Sequence, residues 1–234
     1  MVVDFHSHIL PAIDDGSESL KESVAMLEME AKQGIRHVIA TPHFYAQNDR
    51  PDHFLAKRAE AETALREQIA DRNDLPQLDV GAEVLYFRGI SNSEILQELV
   101  MAGSKYVMIE MHAPPWTERM YQELEEIYIK QGLIPIIAHV DRYIGPLKTH
   151  GIPKRLQELP VLVQANASFF LRTSTRRMAL RMLEKDQIHL LGSDCHNLSS
   201  RAPNLGAAVQ VIERHLGKQA IHRINLYERE VLSD

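Results

Sequence analysis

Short apolar runs recur along this chain, and each leads into a histidine or a carboxylate. Val38-Ile39-Ala40 runs into Thr41-Pro42-His43, Val107-Met108-Ile109 into Glu110, and Ile136-Ile137-Ala138 into His139. Leu190-Leu191-Gly192 precedes Ser193-Asp194-Cys195-His196, Glu83 follows Gly81-Ala82 in another such run, and the chain opens on Asp4-Phe5-His6-Ser7-His8. Helix-like stretches separate the runs. Parallel strands closed into a barrel bring such ends together on one face, where active sites form. Imidazoles and carboxylates gathered there favour borderline divalent metals such as Zn, Mn or Fe.

The expected elements alternate. Val2 to His8 reads as a buried strand, and Ser17 as the cap of a helix in which Leu20, Val24, Leu27 and Ala31 share a face, ended by Gly34. Ile35 to His43 is the next strand, and Pro51-Asp52 starts a helix running to about Arg72. Further strands are expected at Leu78–Tyr86, Lys105–Met111, Leu133–His139, Val161–Asn166 and Ile188–Ser193. Helices are expected at Ser93–Val100, Thr117–Gln131, Lys154–Glu158, Ser174–Lys185, Asn204–Leu216 and after Lys218. This gives roughly seven β/α units. At 234 residues the chain is shorter than the roughly 250 typical of an eightfold barrel. A distorted barrel of seven strands in a single domain over 1–234 is therefore the expectation, with a doubly wound open sheet as the alternative.

Composition narrows the function. A formal charge of −6 with no basic stripe argues against nucleic acid. A single cysteine excludes an internal disulfide framework and suits a reducing compartment, no basic-then-apolar leader opens the chain, and no apolar stretch approaches a membrane span. A cytoplasmic protein is expected, its oligomeric state left open.

His6 and His8 have the spacing that points two side chains the same way along a strand. Asp194 and His196 repeat it. Asp14-Asp15-Gly16 read alone is a turn before a helix cap. Glu83 inside an apolar strand needs a partner or a metal, because burying an unpaired carboxylate is costly. His37 and His189 lie at strand starts, the wrong end. His53, His150, His215 and His222 read as surface residues, and His112 ranks below the others as a site residue.

With these motifs assembled, the chain resembles the polymerase-and-histidinol-phosphatase (PHP) family. Within it, the likeness is greatest to the bacterial manganese-dependent protein-tyrosine phosphatases of capsule and exopolysaccharide clusters. Asp4-Phe5-His6-Ser7-His8-Ile9-Leu10-Pro11, Asp14-Asp15-Gly16, Ala40-Thr41-Pro42-His43, Gly81-Ala82-Glu83, Ile109-Glu110, Ala138-His139-Val140-Asp141-Arg142-Tyr143 and Gly192-Ser193-Asp194-Cys195-His196-Asn197 carry it in order. The resemblance implies a distorted, TIM-like (β/α)7 barrel with three divalent ions, manganese foremost, with Fe, Zn or Mg as alternatives. It would set His6, His8, Glu83 and Asp194 around one ion, with Glu83 bridging to a second held by Glu110 and His139. Asp15, His43 and His196 would hold the third, and Arg142 and Arg201 would approach phosphate. The implied substrate is a phosphotyrosine protein, and the implied partner is a cytoplasmic tyrosine autokinase regulating polysaccharide export. The chain departs from the pattern at Asp141, where a glutamate is usual, at Met111-His112-Ala113, and at Cys195.

The expected chemistry is phosphate-monoester hydrolysis by a hydroxide generated at clustered metals. A small-ester phosphatase, such as one for histidinol phosphate, would share the ligands, and a non-catalytic metal-binding module would bind ions without turnover. A thiol mechanism has one sign in its favour, the C-x5-R spacing of Cys195 and Arg201, but the loop lacks glycine and Pro203 follows closely. The basic run Arg172, Arg176, Arg177 and Arg181 reads as a solvated helix face, with reception of an acidic phosphopeptide as the alternative.

Overall fold

The structure, a computed structural model, describes residues 2–144 and 151–233; the expectation for His150 lies outside them. β1 (Val3–Ser7) and β2 (His37–Ala40) are buried at every position. Between them runs α1 (Leu20–Lys32), capped by Ser19 rather than Ser17: the Ser19 hydroxyl accepts the Glu22 N–H at 3.3 Å. The Ser17 hydroxyl is instead engaged with Ser19 O and the Ser23 hydroxyl. α2 (Pro51–Gln68) follows with proline in its first turn.

Two expected strands are each broken in two. His43–Phe44 forms β3 beyond Thr41-Pro42, and the next run divides into β4 (Gln77–Val80) and β5 (Glu83–Leu85) at Gly81-Ala82. Pro42 has no N–H to give the ladder. The gap is spanned by Gly81 N–H to Ala40 O at 2.8 Å and Glu83 N–H to Pro42 O at 3.0 Å. The remaining strands are β6 (Tyr106–Glu110), β7 (Ile134–Ile137), β8 (Leu162–Asn166) and β9 (Leu190–Gly192). α3 (Glu118–Gln131), α4 (Ile152–Leu156), α5 (Ala167–Leu171), α6 (Thr173–Glu184), α7 (Leu205–Leu216) and α8 (Lys218–Leu232) complete the chain. The helix expected at Ser93–Val100 is a 3-10 helix over Glu94–Glu98, flanked by 3-10 turns at Ile90–Asn92 and Met101–Gly103. Extended backbone at Ser93 and Val100 bounds the stretch on both sides.

All strand pairs are parallel, in the orders β1-β2-β4 and β3-β5-β6-β7-β8-β9. β9 then leads back to β1: Ser7 bridges Cys195, Asp194 N–H reaches His6 O at 2.8 Å, and His8 N–H reaches Cys195 O at 2.9 Å. With β2/β3 and β4/β5 each counting as one stave, the result is a distorted (β/α)7 barrel. The doubly wound sheet is excluded, since it would leave β1 and β9 apart.

One apolar cluster lies among Val3, Phe5, Ile39, Tyr106, Met108, Ile136 and Leu190, with Val231 of α8 packed against it. Glu228 of α8 accepts the Val3 N–H at 3.2 Å, fixing that helix at the N-terminal end of β1. The larger cluster includes Met26, Leu27, Leu65, Leu124, Ile127 and Leu183, from helices that pack around the sheets.

Candidate metal centre

The pairing register of β1 with β2 shifts between Asp4 and Ser7. Such a bulge re-aims the side chains beyond it. Asp4 meets Glu30 of α1 and Cys195, whereas His6 and His8 enter a different cluster at the C-terminal rim. Gly192 makes this close approach: a Cβ there would lie 2.5 Å from the His6 Cβ and 2.8 Å from Gln164 Nε2. Gly16 does the same for the following loop, where a Cβ would lie 2.2 Å from His8 O. His139 and Asp194 sit in the left-handed backbone region, at φ 31° and 54°. Non-glycine residues there are uncommon and gather at functional sites.

The rim brings together every residue expected to bind metal. His6 Nε2 and His8 Nε2 are 3.1 Å apart, and they lie 3.1 and 3.2 Å from Glu83 Oε2 and 3.6 Å each from Asp194 Oδ1. The other Glu83 oxygen is 2.8 Å from His139 Nε2, which lies 3.3 Å from Glu110 Oε1. Asp15 Oδ1 stands 3.4 Å from His43 Nε2 and 3.3 Å from His196 Nε2. The donor sets overlap more than the resemblance implies: His8 groups with Asp15, His43 and His196 as well as with His6 and Asp194, and His43 groups with Glu83 and Glu110. Arg142 contacts Asp194 and lies 3.4 Å from Glu110, while Arg201 donates to Asp194 at 2.7 Å and lies 3.8 Å from Asp15.

The donors fit divalent ions. Ligands ~2.1 Å from one ion are about 3.0 to 3.4 Å from each other, near the separations seen here. His43 Nδ1 and His196 Nε2 are buried without a hydrogen-bond partner, as expected of nitrogens aimed at a cation.

Residues that the sequence reading passed over hold these donors in place. Asp14, read as a turn residue, accepts from His8 Nδ1 at 2.7 Å and from the His43 N–H at 3.0 Å. Gln164 Oε1 pairs with His6 Nδ1 at 3.2 Å and accepts the His139 N–H at 2.6 Å. Asn166 donates to Asp194 at 2.8 Å. Such contacts fix the ring orientation and tautomer of a ligating histidine. Gln164 and Asn166 stand two apart at the end of an expected strand, the same signal that revealed His6 and His8, but amides are weaker markers of a metal site.

Protonation follows the neighbours. Burial disfavours charge on His8, but Asp14 and Glu83 outweigh it and push the imidazole up to about 10. His139 is likewise carried up to about 9 by Glu110 and Glu83 against its burial. His196 falls to about 4 through burial and the neighbouring His8, and His43 is also lowered, chiefly by burial. Glu83 and Asp194 lie below the carboxylate range despite burial, both drawn down first by His6.

Other residues stay out of the cluster. His112 is exposed and stacks edge-on against Tyr86. His37 pairs with Asp79 at 2.7 Å, and His189 Nδ1 accepts the Val163 N–H. Cys195 is wholly buried, its thiol pushed well up by burial, Glu30 and Asp4. The His196 and Asn197 N–H groups are taken by Arg201 O, so the loop offers no backbone cradle and the C-x5-R spacing is coincidental. Asp141 accepts the Asn166 N–H at 3.0 Å. Arg176 donates to Phe170 O and Leu171 O, capping α5, while Arg177 and Arg181 are exposed.

A parallel barrel with imidazoles and carboxylates converging at its C-terminal rim defines an architecture of metal-dependent hydrolases. Comparison with known proteins gives the family: the chain belongs to the capsular polysaccharide synthesis CpsB/CapC family, whose model matches residues 2–232. It is 28% identical over 226 residues to the tyrosine-protein phosphatase YwqE of Bacillus subtilis, covering 93% of this chain and 86% of that one. It is 27% identical over 226 residues to the tyrosine-protein phosphatase CpsB of Streptococcus pneumoniae, covering 92% and 91%. Among solved structures it resembles the YwqE and CpsB crystal structures, described as metal-dependent tyrosine phosphatases, with a TM-score of 0.85, 24% identity and coverage of 99% and 94%. The zinc-containing histidinol phosphate phosphatase of Lactococcus lactis shares the fold at a TM-score of 0.60 and 16% identity, covering 94% and 93%. No described helix is long and apolar enough to cross a membrane.

Proposed function

We propose that this chain is a metal-dependent protein-tyrosine phosphatase, a single domain over 1–234, acting in the cytoplasm on a tyrosine autokinase of capsular or exopolysaccharide biosynthesis. The observation that carries the chemistry is the convergence of nine imidazole and carboxylate residues with Arg142 and Arg201 at one barrel rim. The metal-dependent tyrosine phosphatases among its relatives support the substrate class, and the family resemblance supports the autokinase.

In this reading His6, His8, Glu83 and Asp194 hold one ion, Glu83 with Glu110 and His139 a second, and Asp15, His43 and His196 a third, manganese being preferred. When bound, the ions supply Lewis acidity, lowering the pKa of water and offsetting phosphoryl charge. Arg142 and Arg201, both beside Asp194, offer bidentate contacts to phosphoryl oxygens. Asp14, Gln164 and Asn166 keep the donors oriented. The leaving phenol, with a pKa of about 10, needs little proton assistance.

The test is hydrolysis of a phosphotyrosine peptide by wild type and Cys195→Ala, each after chelation and after manganese readdition. Loss on chelation, recovery with manganese and an active Cys195→Ala are expected. Activity that survives chelation and vanishes with Cys195→Ala would overturn the mechanism. Turnover of histidinol phosphate but not of the peptide would move the substrate to a small ester.

A further inference from the structure

Beside the cluster lies a cavity of about 270 Å³, whose lining includes Arg142, Arg172, Arg201, Asn166, Ser168 and Asn204. Asp194 also borders it, so it opens directly onto the metal rim. Its charge is lopsided. Of its two acids, Asp194 is engaged by Arg142, Arg201 and Asn166, and Asp141 accepts the Asn166 N–H. Arg172 is different: it is exposed, and among the described residues no carboxylate lies within ion-pair distance of it.

Two longer helices add to the positive field. Arg172 is the cap residue of α6 and Asn204 that of α7, and neither makes a side-chain cap hydrogen bond. The N-terminal turns of both helices therefore begin at the cavity wall, where their dipoles favour an anion. Asn204 Oδ1 is buried there without a hydrogen-bond partner.

A phosphoryl group held by the rim would leave Arg172 to meet whatever negative group the substrate carries next to it. Arg176, its neighbour in the basic run, is committed to the carbonyls of α5 and does not compete. We propose that this cavity is a specificity subsite for an aspartate or glutamate flanking the phosphotyrosine, with Arg172 as its reading residue. The inference rests on the phosphatase reading and names the substrate class more closely: acidic phosphotyrosine segments over neutral ones.

The experiment compares kcat/KM for matched phosphotyrosine peptides carrying Glu or Gln on either side of the phosphotyrosine. Wild type, Arg172→Ala and Arg172→Glu are assayed at low ionic strength with manganese present, and thermal melting confirms that each variant is folded. Wild type should favour the Glu peptide on one side by roughly 2- to 5-fold, the scale of one solvated ion pair. The preference should reside in KM and shrink with added salt. Arg172→Ala should bring the ratio close to one, and Arg172→Glu should reverse it. A wild type indifferent to charge on both sides, or a preference that persists in both variants, would overturn the subsite while leaving the phosphatase reading intact. Failure of wild type to hydrolyse any phosphotyrosine peptide would instead overturn that reading, and the subsite with it.

Discussion

Glu83 and Asp194 at the rim are buried, as are Asp4, Glu30 and Glu228 lower in the barrel, yet the two groups sit in opposite states. At the rim, Glu83, Asp194 and Asp14 are held below their ordinary range, because nearby imidazoles outweigh the burial that would raise them. Lower down, Asp4, Glu30 and Glu228 are raised, burial being the leading cause in each. Asp4 Oδ1 accepts the His6 and Ser193 N–H groups, which do not offset its burial, and the titratable groups clustered with Asp4 and Glu30 are each other and the Cys195 thiol, with no imidazole among them. A single residue of β1, Phe5, separates Asp4 from His6. Burial alone makes a group that holds a proton, and burial among imidazoles and guanidinium groups makes one that stays ionised and can receive a cation.

The sharpest way to break this contrast is to remove an acid from each layer. Asp194→Ala should lower kcat on a phosphotyrosine peptide by at least ~10³-fold and reduce bound metal, because it removes a central donor of the rim. Glu30→Gln should leave the metal count unchanged. Elemental analysis of both variants decides: an ion lost with Glu30→Gln would make the lower trio a metal site as well.

Next in size is Gly192→Ala, which tests whether the rim depends on close contact between β9 and β1. The added Cβ would sit 2.5 Å from His6 Cβ. A cost of about 1 to 3 kcal/mol is expected from overpacking, with at least ~10-fold weaker manganese binding from a displaced ligand. Thermal melting and metal titration measure the two effects separately. Unchanged metal affinity would show that the rim tolerates movement of β1.

The lower layer also predicts a pH dependence. Glu228 is raised from 4.5 to about 7 in the fold, so the folded chain binds more protons than the unfolded chain between those values. Its stabilising contribution is complete below about 4.5 and is lost as pH rises through about 7, a difference of up to ~3 kcal/mol. Glu228→Gln should flatten that part of the stability curve, read by urea unfolding at several pH values. A slope unchanged by the substitution would mean that Glu228 is not held protonated. Glu30→Gln should reduce the same slope further, Glu30 being raised by burial and by Asp4.

Much of the rim was legible because its signal is local. Each donor follows an apolar run, and a parallel strand delivers its last residue to the same end of a barrel whatever the details of packing. Other features were not legible, since each depends on contact between distant segments. Asp14 looks like a turn residue until His8 is beside it. The breaks at Pro42 and Gly81 have to coincide for β3 and β5 to pair. The helix expected at Ser93–Val100 is bounded by extended backbone on both sides, which local propensity did not register.

By itself, then, the sequence determined the alternation of strands and helices, the strand ends that carry imidazoles and carboxylates, and the absence of glycine from the Cys195–Arg201 loop. Only the tertiary structure decided which donors share a neighbourhood, that the β1 bulge parts Asp4 from His6, that Gln164 and Asn166 hold the rim, and that Arg172 borders a cavity while Arg176 does not. Periodicity is fixed by covalent geometry a few residues at a time. Proximity and charge balance depend on how the staves close, and that is set by packing across the whole barrel.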